Sequence, residues 1–498
     1  MKKSTIYFKT VHGNAYLYDY NHKMFLNAPN FFDNVDQIIE LCKTKDIELI
    51  TSYCKLNNCS QSDLLSYLEE VRFLKEHGFF ETVRKEKRIL TKIYPETIKM
   101  NLSKLKHLVF EVTESCNLQC YYCGYGSLYN SVIGRHNTKF PFEKAKALID
   151  YLVPFWQQDE SRSKALNVSF YGGEPLLNFS FIKNVVDYLH EINLFDSLRF
   201  SITTNGTLLH HYIKYLVDND FKVDVSLDGN KHDNRYRVDK DMTNSFDKVL
   251  ENLNIIRNQY PDFFSNNVQF QAVLSQANSV DSITRFFKNE FNKSVYILEI
   301  NTSNVVDKQA FKAVFQDYNE SLWQASEEVK ELYFHKTPEL SRLGNTIVCF
   351  LSNTWSNFNT TPKSIMFPKR SKLITATCTP LWKKMFVTAK GNIMSCERIN
   401  YDYVIGKIAD NGEVNIDFEA VANTYNSYYD SLSAQCAGCY SSSFCSQCMF
   451  YIDGLRENAI CEDCMSEQDA CKYMSYIFSV FENHPDMVYT LINCTYYE

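Results

Sequence analysis

No stretch of the sequence approaches the ~18 uninterrupted apolar residues of a membrane-spanning helix. The two positive charges in Met1-Lys2-Lys3-Ser4-Thr5 lead into alternating, strand-like sequence rather than the apolar run of a signal peptide. These absences predict a soluble, cytoplasmic protein with no membrane partner. Glycine and proline are scarce, at 15 and 11 of 498 residues, and no segment recurs at a fixed period, which excludes disorder, long flexible linkers and solenoids. Positive charge is not in excess either. The 52 Lys and Arg stand against 59 Asp and Glu, a net of −7, so no global basic field points to nucleic acid as a partner. What is present is a chain that is 45% hydrophobic, long enough for roughly three or four domains with substantial cores.

Cysteine is the anomaly, with 17 residues. Three fall before residue 100, three between 116 and 123, none in the 225 residues from 124 to 348, and eleven from 349 onward. Disulfides or scattered buried thiols would not leave such a gap. In a cytoplasmic chain of this size metal or catalysis is the better reading.

Residues 1 to about 95 open with alternating segments at Thr5 to Thr10, Ala15 to Tyr20 and Lys23 to Ala28, separated by turn signals. Helical patterns follow, the clearest with Ser62 and Asp63 at its start, Leu64, Leu65, Leu68, Val71 and Leu74 on one face, and Gly78 as its stop. Strands first and helices after make a small α+β unit. It is either a packing extension of the main domain or a module whose sheet edge captures an extended peptide.

From about 104 the pattern becomes strand and helix in alternation. Strands are expected at Leu108 to Thr113, Asn167 to Tyr171, Leu198 to Thr203, Val223 to Leu227, Val268 to Leu274 and Val295 to Ile300. Helices are expected between them, such as Phe142 to Trp156, Phe181 to Ile192, Leu209 to Asp218 and Ser245 to Tyr260. Six βα units without hairpin signals imply a parallel sheet, with function at the carboxyl ends of its strands. Beyond about 303 a helical bridge is expected. From about 375 the chain is cysteine-dense and irregular, drawing folding energy from metal, and it closes on a helix from Tyr473 to Ile492 interrupted near His484-Pro485.

Directly after the first strand of the alternating region stands Cys116-Asn-Leu-Gln-Cys120-Tyr-Tyr-Cys123. Three thiolates on one loop can hold three irons of a four-iron, four-sulfur cube and leave the fourth open, whereas a structural zinc site needs a closed set of four. With this spacing at this place the sequence resembles the radical SAM superfamily, in which the open iron chelates S-adenosylmethionine (SAM) and an electron from the cluster breaks it to a 5′-deoxyadenosyl radical. Gly172-Gly173-Glu174-Pro175 resembles the superfamily's GGEP motif, whose backbone and Glu hold the amino group of SAM. Thr204-Asn205-Gly206 matches a family turn, and Ser226-Leu227-Asp228-Gly229 resembles the segment that reaches the ribose and carboxylate. Arg237 stands where the family places an Arg against the SAM carboxylate, with Arg235 as a rival because the segment is one residue longer than usual. Tyr122 matches the aromatic beside the adenine. Leu298 is an adenine-packing candidate or plain core.

Farther on, Cys378 and Cys396 follow a CX12GX4C pattern around Gly391 in a hairpin-like Thr388-Ala389-Lys390-Gly391-Asn392, and Cys436, Cys439, Cys445 and Cys448 are spaced CX2CX5CX2C, ahead of Cys461, Cys464 and Cys471. This resembles the SPASM domain, which carries two auxiliary four-iron clusters; the last gap of two departs from its usual three. The resemblance assigns Cys378, Cys396 and Cys448 to auxiliary cluster I, completed by Cys464 or Cys461 or left with an open iron. It assigns Cys436, Cys439, Cys445 and Cys471 to auxiliary cluster II. Cys445, Cys448, Cys461 and Cys464 alternatively make a zinc ribbon. In sulfatase-maturing members a carboxylate in the place of Glu397 is the catalytic base, although a Glu397-Arg398 pair is also an ordinary salt bridge. Cys42, Cys54, Cys59, Cys349 and Cys494 have no partner spacing and are expected to be buried thiols.

The resemblance implies an α/β fold: a partial (β/α)6 radical SAM barrel at 96–310, a helical bridge at 311–374 and a SPASM domain at 375–498. The unit at 1–95 resembles a RiPP recognition element, a winged-helix-like docking domain for leader peptides. Together these imply a peptide maturase that forms a thioether or carbon-carbon crosslink in a ribosomally made precursor peptide. It would carry three [4Fe-4S] clusters and SAM, with a flavodoxin or ferredoxin as electron donor. A formylglycine-generating sulfatase-maturing enzyme and a non-catalytic iron-sulfur or zinc scaffold are the alternatives.

Overall fold

The protein is described by a computed structural model that covers the chain except residues 1–2, 23, 45, 81–91, 130–136, 159–163, 303–304, 334–374, 444 and 487–498. Two compact units emerge. One combines Met1–Thr91, Glu331–Ala376 and Tyr428–Glu498; the other combines Lys92–Lys330 and Thr377–Ser427.

The first unit opens with the antiparallel meander β1 (Thr5–Lys9), β2 (Ala15–Asp19) and β3 (Met24–Ala28), followed by helices α1 (Val35–Lys43), α2 (Ile47–Asn57) and α3 (Gln61–Glu76). Leu17, Phe32, Ile38, Leu64, Leu68 and Val71 form its core, and Cys42 and Cys54 are buried within it. The helix α3 begins earlier than its apolar face indicates, because Ser60, not Ser62, accepts the Asp63 N–H as N-cap; its stop is Gly78, at φ +86°.

The second unit holds α4 (Pro95–Ser103), β4 (His107–Thr113), α5 (Phe142–Gln157), β5 (Ala165–Gly172), α6 (Phe179–Ile192), β6 (Ser197–Thr204), α7 (Leu209–Asp218), β7 (Lys222–Ser226), α8 (Phe246–Gln259), α9 (Pro261–Asn267), β8 (Val268–Leu274), α10 (Val280–Phe291) and β9 (Tyr296–Glu299). The strands β4 to β9 are parallel and neighbour one another in sequence order. This is the expected parallel sheet of an open (β/α)6 barrel. One face is apolar: Leu166, Val168 and Phe170 of β5 are buried, and Phe110, Phe140, Phe170 and Phe181 pack ring on ring beneath the helices. The other face carries the polar residues that alternate with them, Ser169 and Tyr171 on β5 among them. Three short helices, α11 (Lys308–Val314), α12 (Tyr318–Trp323) and α13 (Glu327–Glu331), follow. The remainder of the expected helical bridge, with Cys349, lies outside the described residues, as does Cys494.

The sheet does not end at β4. The strand β10 (Met385–Val387) pairs with it in parallel, and β11 (Asn392–Met394), β12 (Gly406–Ile408) and β13 (Val414–Asn415) extend it antiparallel to ten strands. The expected hairpin is present, with Gly391 at φ +82° donating to Thr388 O at 2.8 Å. The expectation of irregular structure beyond about 375 is thus corrected for this stretch. Met385, Phe386 and Val387 are fully buried, but three residues are too few for a period to show in sequence.

After α14 (Phe418–Gly438) the chain returns to the first unit and ends its described part in α15 (Glu467–Asn483). This helix starts six residues before the expected Tyr473, because Ser466 and Asp469 form a capping box. Cys471 therefore stands inside the helix, not at its start. The helix stops at His484, ahead of Pro485; the rest of the expected tail lies outside the described residues. It packs on β1, with Phe478 ringed by Phe8, Tyr16 and Phe25 at centroid distances of 5.1, 4.8 and 5.0 Å. No helix among the described residues is long and apolar enough to cross a membrane.

Candidate active site

The residues singled out between 116 and 237 converge at the carboxyl ends of β4 to β7. The Cys116–Cys123 loop leaves β4 and is pinned on one side by the segment that carries Arg237: Gln119 N–H donates to Val238 O at 2.7 Å and Tyr121 N–H to Tyr236 O at 3.1 Å. On the other side Asn205, after β6, donates through Nδ2 to Asn117 Oδ1 at 2.9 Å and to Cys116 Sγ at 3.7 Å, while Leu118 N–H reaches the same sulfur at 3.4 Å. Two N–H donors aimed at one sulfur favour its thiolate, the form that binds metal. Burial pushes the Cys120 thiol up to about 12, with Arg237 working against it.

The Gly172-Gly173 backbone lies against the start of this loop. A Cβ on Gly172 would stand 2.4 Å from Thr113 O, and one on Gly173 2.1 Å from Ser115 O; Gly173 N and Glu174 N donate to Thr113 O and Ser115 O at 2.7 and 2.8 Å. Only glycine permits so close an approach. Glu174 is completely buried, with Oε1 accepting from Thr204 Oγ1 at 2.8 Å and Leu176 N at 3.1 Å, and Oε2 from Asn205 N at 2.8 Å. Burial raises its carboxyl to about 7 against those three hydrogen bonds. Its carboxylate positions the turn at Thr204-Asn205-Gly206, which in turn grips Cys116 and Asn117.

Arg237 and Arg235 separate cleanly. Arg235 donates to Ala277 O at 2.5 Å and Gln276 O at 2.9 Å and lies over the Tyr236 ring, a clamp on the loop after β8. Arg237 is buried beside the cysteine loop, its guanidinium 5.5 Å from the centre of the Tyr122 ring and its Nε 3.0 Å from Asp228 Oδ1. Burial works against its charge and Asp228 more than compensates, so it stays cationic. The Nε–H is not aimed at that oxygen and makes no hydrogen bond. A buried guanidinium with unspent donor capacity beside three thiols suits a ligand carboxylate.

Asp228, quoted within its motif but given no role by the sequence, is the hub of this corner. It is fully buried, accepts from Tyr122 Oη and from Val273 N (2.9 Å), and pairs with Arg237. Tyr122 leads an apolar wall with Leu128, Tyr129 and Ile300, against which Val273 packs. Leu298 lies beside Val273 in the β8–β9 register and is 37% exposed, so it is not a core residue. Ser226 ends β7, next to Gln271.

A second buried carboxylate was missed. Glu111 of β4 is fully buried, accepting from Tyr125 and Tyr401 hydroxyls, the latter at 2.6 Å, and from Ala389 N at 2.7 Å. It joins the loop after Cys123 to the hairpin and to the segment after Cys396. The available signal was a charge in the middle of the apolar run Leu108 to Val112. Glu397 is held by Lys384 Nζ at 2.9 and 3.0 Å, with Arg398 Nε at 3.9 Å. Burial opposes its ionisation, but Lys384 outweighs it and holds the carboxyl below its usual range. Its partner in the structure is thus Lys384 more than the neighbouring Arg398.

Cys378 and Cys396 lie in the second unit; Cys436, Cys439, Cys445, Cys448, Cys461, Cys464 and Cys471 lie in the first. Among the described residues no three His, Cys, Asp or Glu side chains are gathered tightly enough to hold a single metal ion.

Residues 110–270 match the family model of the Radical SAM superfamily. The barrel region is therefore similar to the Radical SAM superfamily. The chain is 28% identical over 194 residues to a cysteine-type anaerobic sulfatase-maturating enzyme of Clostridium novyi, covering 38% of this chain and 49% of that protein. It is 27% identical over 238 residues to the radical SAM cyclopropyl synthase TigE of Paramaledivibacter caminithermalis, covering 46% and 47%. An uncharacterised protein of Methanocaldococcus jannaschii, MJ0907, is 36% identical over 126 residues, or 25% of this chain and 39% of that one. The chain thus spans less than half the length of these relatives. A solved structure of native anSMEcpe with bound AdoMet and the Cp18Cys peptide superposes with a TM-score of 0.52 at 18% identity, covering 78% of this chain and 99% of that one, a likeness that shows the fold. The matched residues take in β5, β6 and β7 whole, most of β4, and Tyr122, Asp228 and Arg237.

Proposed function

We propose that this chain is a radical SAM peptide maturase. The observation that carries the reading is the buried Arg237–Asp228–Tyr122 corner set against a loop with three thiols. Cys116, Cys120 and Cys123 would hold the SAM-binding [4Fe-4S] cluster, Arg237 the SAM carboxylate, and Tyr122 and Leu298 the apolar side of the adenine. The Gly172-Gly173 backbone would receive the amino group, Ser226 the ribose, and Asn205 and Glu174 would fix the loop. When bound, the cluster and SAM supply a 5′-deoxyadenosyl radical. The chain's own part is to orient SAM through Arg237, to keep Cys120 away from water, and to present a peptide at the polar face of the sheet. Auxiliary clusters on the cysteines from Cys378 onward would accept the surplus electron of an oxidative crosslink, and a flavodoxin or ferredoxin would supply the reducing one. The outer edge of β3, which pairs only with β2 among the described residues, is where a leader peptide would add as a strand.

A second reading, formylglycine formation, draws on the sulfatase-maturating relative. The test is anaerobic reconstitution, with iron and sulfide counted and 5′-deoxyadenosine assayed after dithionite reduction with SAM, followed by mass spectrometry of candidate peptides. About twelve irons and a peptide lighter by two hydrogens are expected. A product that has lost sulfur and gained oxygen would install the second reading. Absence of SAM cleavage by the loaded protein would sink both.

A further inference from the structure

The strands β4 to β8 carry two carboxylates, Glu111 and Asp224. Glu111 is spent on two tyrosine hydroxyls and a backbone N–H. Asp224, in the middle of β7, is not. It alternates with Val223 and Val225, which are buried, so its side chain shares the polar face of the sheet with Ser226 and, like Ser226, is half-buried. Its neighbours in register are Thr203 of β6 and Gln269 of β8, and its diagonal neighbours on that face are Ser201 and Gln271. All four are neutral. The cation on β7 is committed elsewhere: Lys222 is exposed and sends Nζ to Asn266 O at 2.9 Å and Asn267 Oδ1 at 3.2 Å.

Among the described residues Gln271 is the side chain that serves the Asp224 carboxyl; burial raises its pKa, and the hydrogen bond from Gln271 lowers it only in part. Towards β4 the floor stays uncharged. Ser201 Oγ lies 2.6 Å from Ser169 Oγ, which lies 2.7 Å from His107 Nε2, and burial lowers the His107 pKa to about 4. Asp224 is thus a single negative charge on a neutral, hydrogen-bonding floor. It stands two residues, about 6.6 Å, along β7 from Ser226, which the proposed function gives to the ribose of SAM. A half-buried carboxylate served by an amide gains most from a cation, whereas a neutral or acidic ligand would bury it further without a counter-charge.

We propose that Asp224 is a specificity-determining residue that seats a basic side chain of the substrate, an ammonium or a guanidinium, on the polar face of the sheet. The inference rests on the maturase reading in that it takes the ligand to be a peptide lying beside SAM. An ammonium brings three donors and a guanidinium five. Asp224 would take one or two of them, and the oxygens of Ser201, Thr203 and Gln271 around it would accept the rest.

The experiment uses the full chain, reconstituted anaerobically and saturated with SAM, and short fluorescent peptides that are alike except for a central Lys, Arg, Gln or Glu. By fluorescence anisotropy the Lys and Arg peptides should bind at least about tenfold more tightly than the Gln peptide. In Asp224→Asn that preference should shrink to within about twofold, Asp224→Glu should retain it, and in Asp224→Lys the Glu peptide should become the preferred one. Equal affinities or no binding in a wild type that cleaves SAM, or a preference that survives Asp224→Asn, overturns the inference and leaves the maturase reading standing. Discrimination that follows Asp224 without any SAM cleavage keeps the seat for a cation and sinks the maturase reading. A loaded wild type that neither cleaves SAM nor binds any of the peptides overturns both. Should the variants fail to fold, photo-crosslinking of the Lys peptide to the wild type through a diazirine beside its Lys decides. Adducts on β6, β7 or β8 support the seat, and adducts confined to other segments overturn it.

Discussion

Arg235 and Arg237 carry the same charge two residues apart, and only their surroundings assign them. Arg235 is spent on the carbonyls of His232, Gln276 and Ala277; Arg237 is buried beside the cysteine loop and paired with Asp228. Arg237→Lys should therefore lower SAM affinity at least about tenfold, because an ammonium cannot present the planar fork to a carboxylate. Arg235→Lys should leave it within about twofold, since it would act only through the backbone of its own loop. Equilibrium dialysis with labelled SAM on the iron-loaded protein distinguishes them, and equal losses would remove Arg237 from the proposed site. Sequence made both arginines legible as candidates, but their separation depends on where the chain after β8 runs, which no local pattern encodes. The same limit hid Asp228: its role arises from Tyr122 and Val273, 106 and 45 residues away.

A titration at the residue scale follows from His107. Burial, assisted by Lys384, lowers its pKa to about 4, and its Nε2 lies 2.7 Å from Ser169 Oγ. The folded pKa is below the unfolded ~6.5, so between these values the unfolded chain binds a proton that the folded chain refuses. Stability therefore falls as pH drops from 6.5 towards 4, by up to about 3 kcal/mol before discount for its partial exposure. Denaturation midpoints at pH 7 and 5 should differ less in His107→Gln than in wild type. An unchanged pH slope would show that another group carries it.

At the scale of elements, the six parallel strands were legible because each is a short apolar or alternating stretch bounded by helical pattern. The short strands β10 to β13 were not, since three buried residues carry no period. Besides the β10–β4 pairing, Glu111 joins them to the barrel, its carboxylate accepting from the Ala389 backbone and the Tyr401 side chain. The strand-to-loop junction after β5 is the most sterically determined point. A Cβ on Gly173 would meet the Ser115 carbonyl oxygen at 2.1 Å, against backbone that cannot yield without moving Cys116. Gly173→Ala should cost about 2–4 kcal/mol, by the mechanism of a strained special position. Iron binding to the Cys116–Cys123 loop should fall with it, read as the iron count of a reconstituted variant. Retention of wild-type stability and iron would mean that the loop has freedom the packing denies it.

For the whole molecule, the arrangement of segments differs from what linear reading favours. The amino-terminal meander and the carboxyl-terminal helix α15 are more than 450 residues apart in sequence and share one core. Val11 N–H donates to Ser479 Oγ at 3.1 Å, Tyr16 Oη to Glu482 at 2.8 Å, and Phe478, 3% exposed, is enclosed by three rings of the meander. Composition and periodicity see such segments separately, because contacts between chain ends leave no local signature. Two expectations follow for dissection of the chain. Phe478→Ala should destabilise this unit by about 3–5 kcal/mol, the cost of removing a buried aromatic, read as faster amide exchange in β1 and α15 with SAM binding unchanged. Deletion of residues 1–80 should do more than remove the proposed docking edge: it strips the cover from Phe8's partner Phe478 and from the thiol of Cys471, and the truncated chain should aggregate or reconstitute with less iron. A separable docking module would instead leave a soluble, fully iron-loaded remainder that cleaves SAM at the wild-type rate but no longer binds its leader peptide. Iron content and sedimentation of the truncated chain therefore decide whether the meander is a separable module or a structural wall of the cysteine-bearing unit.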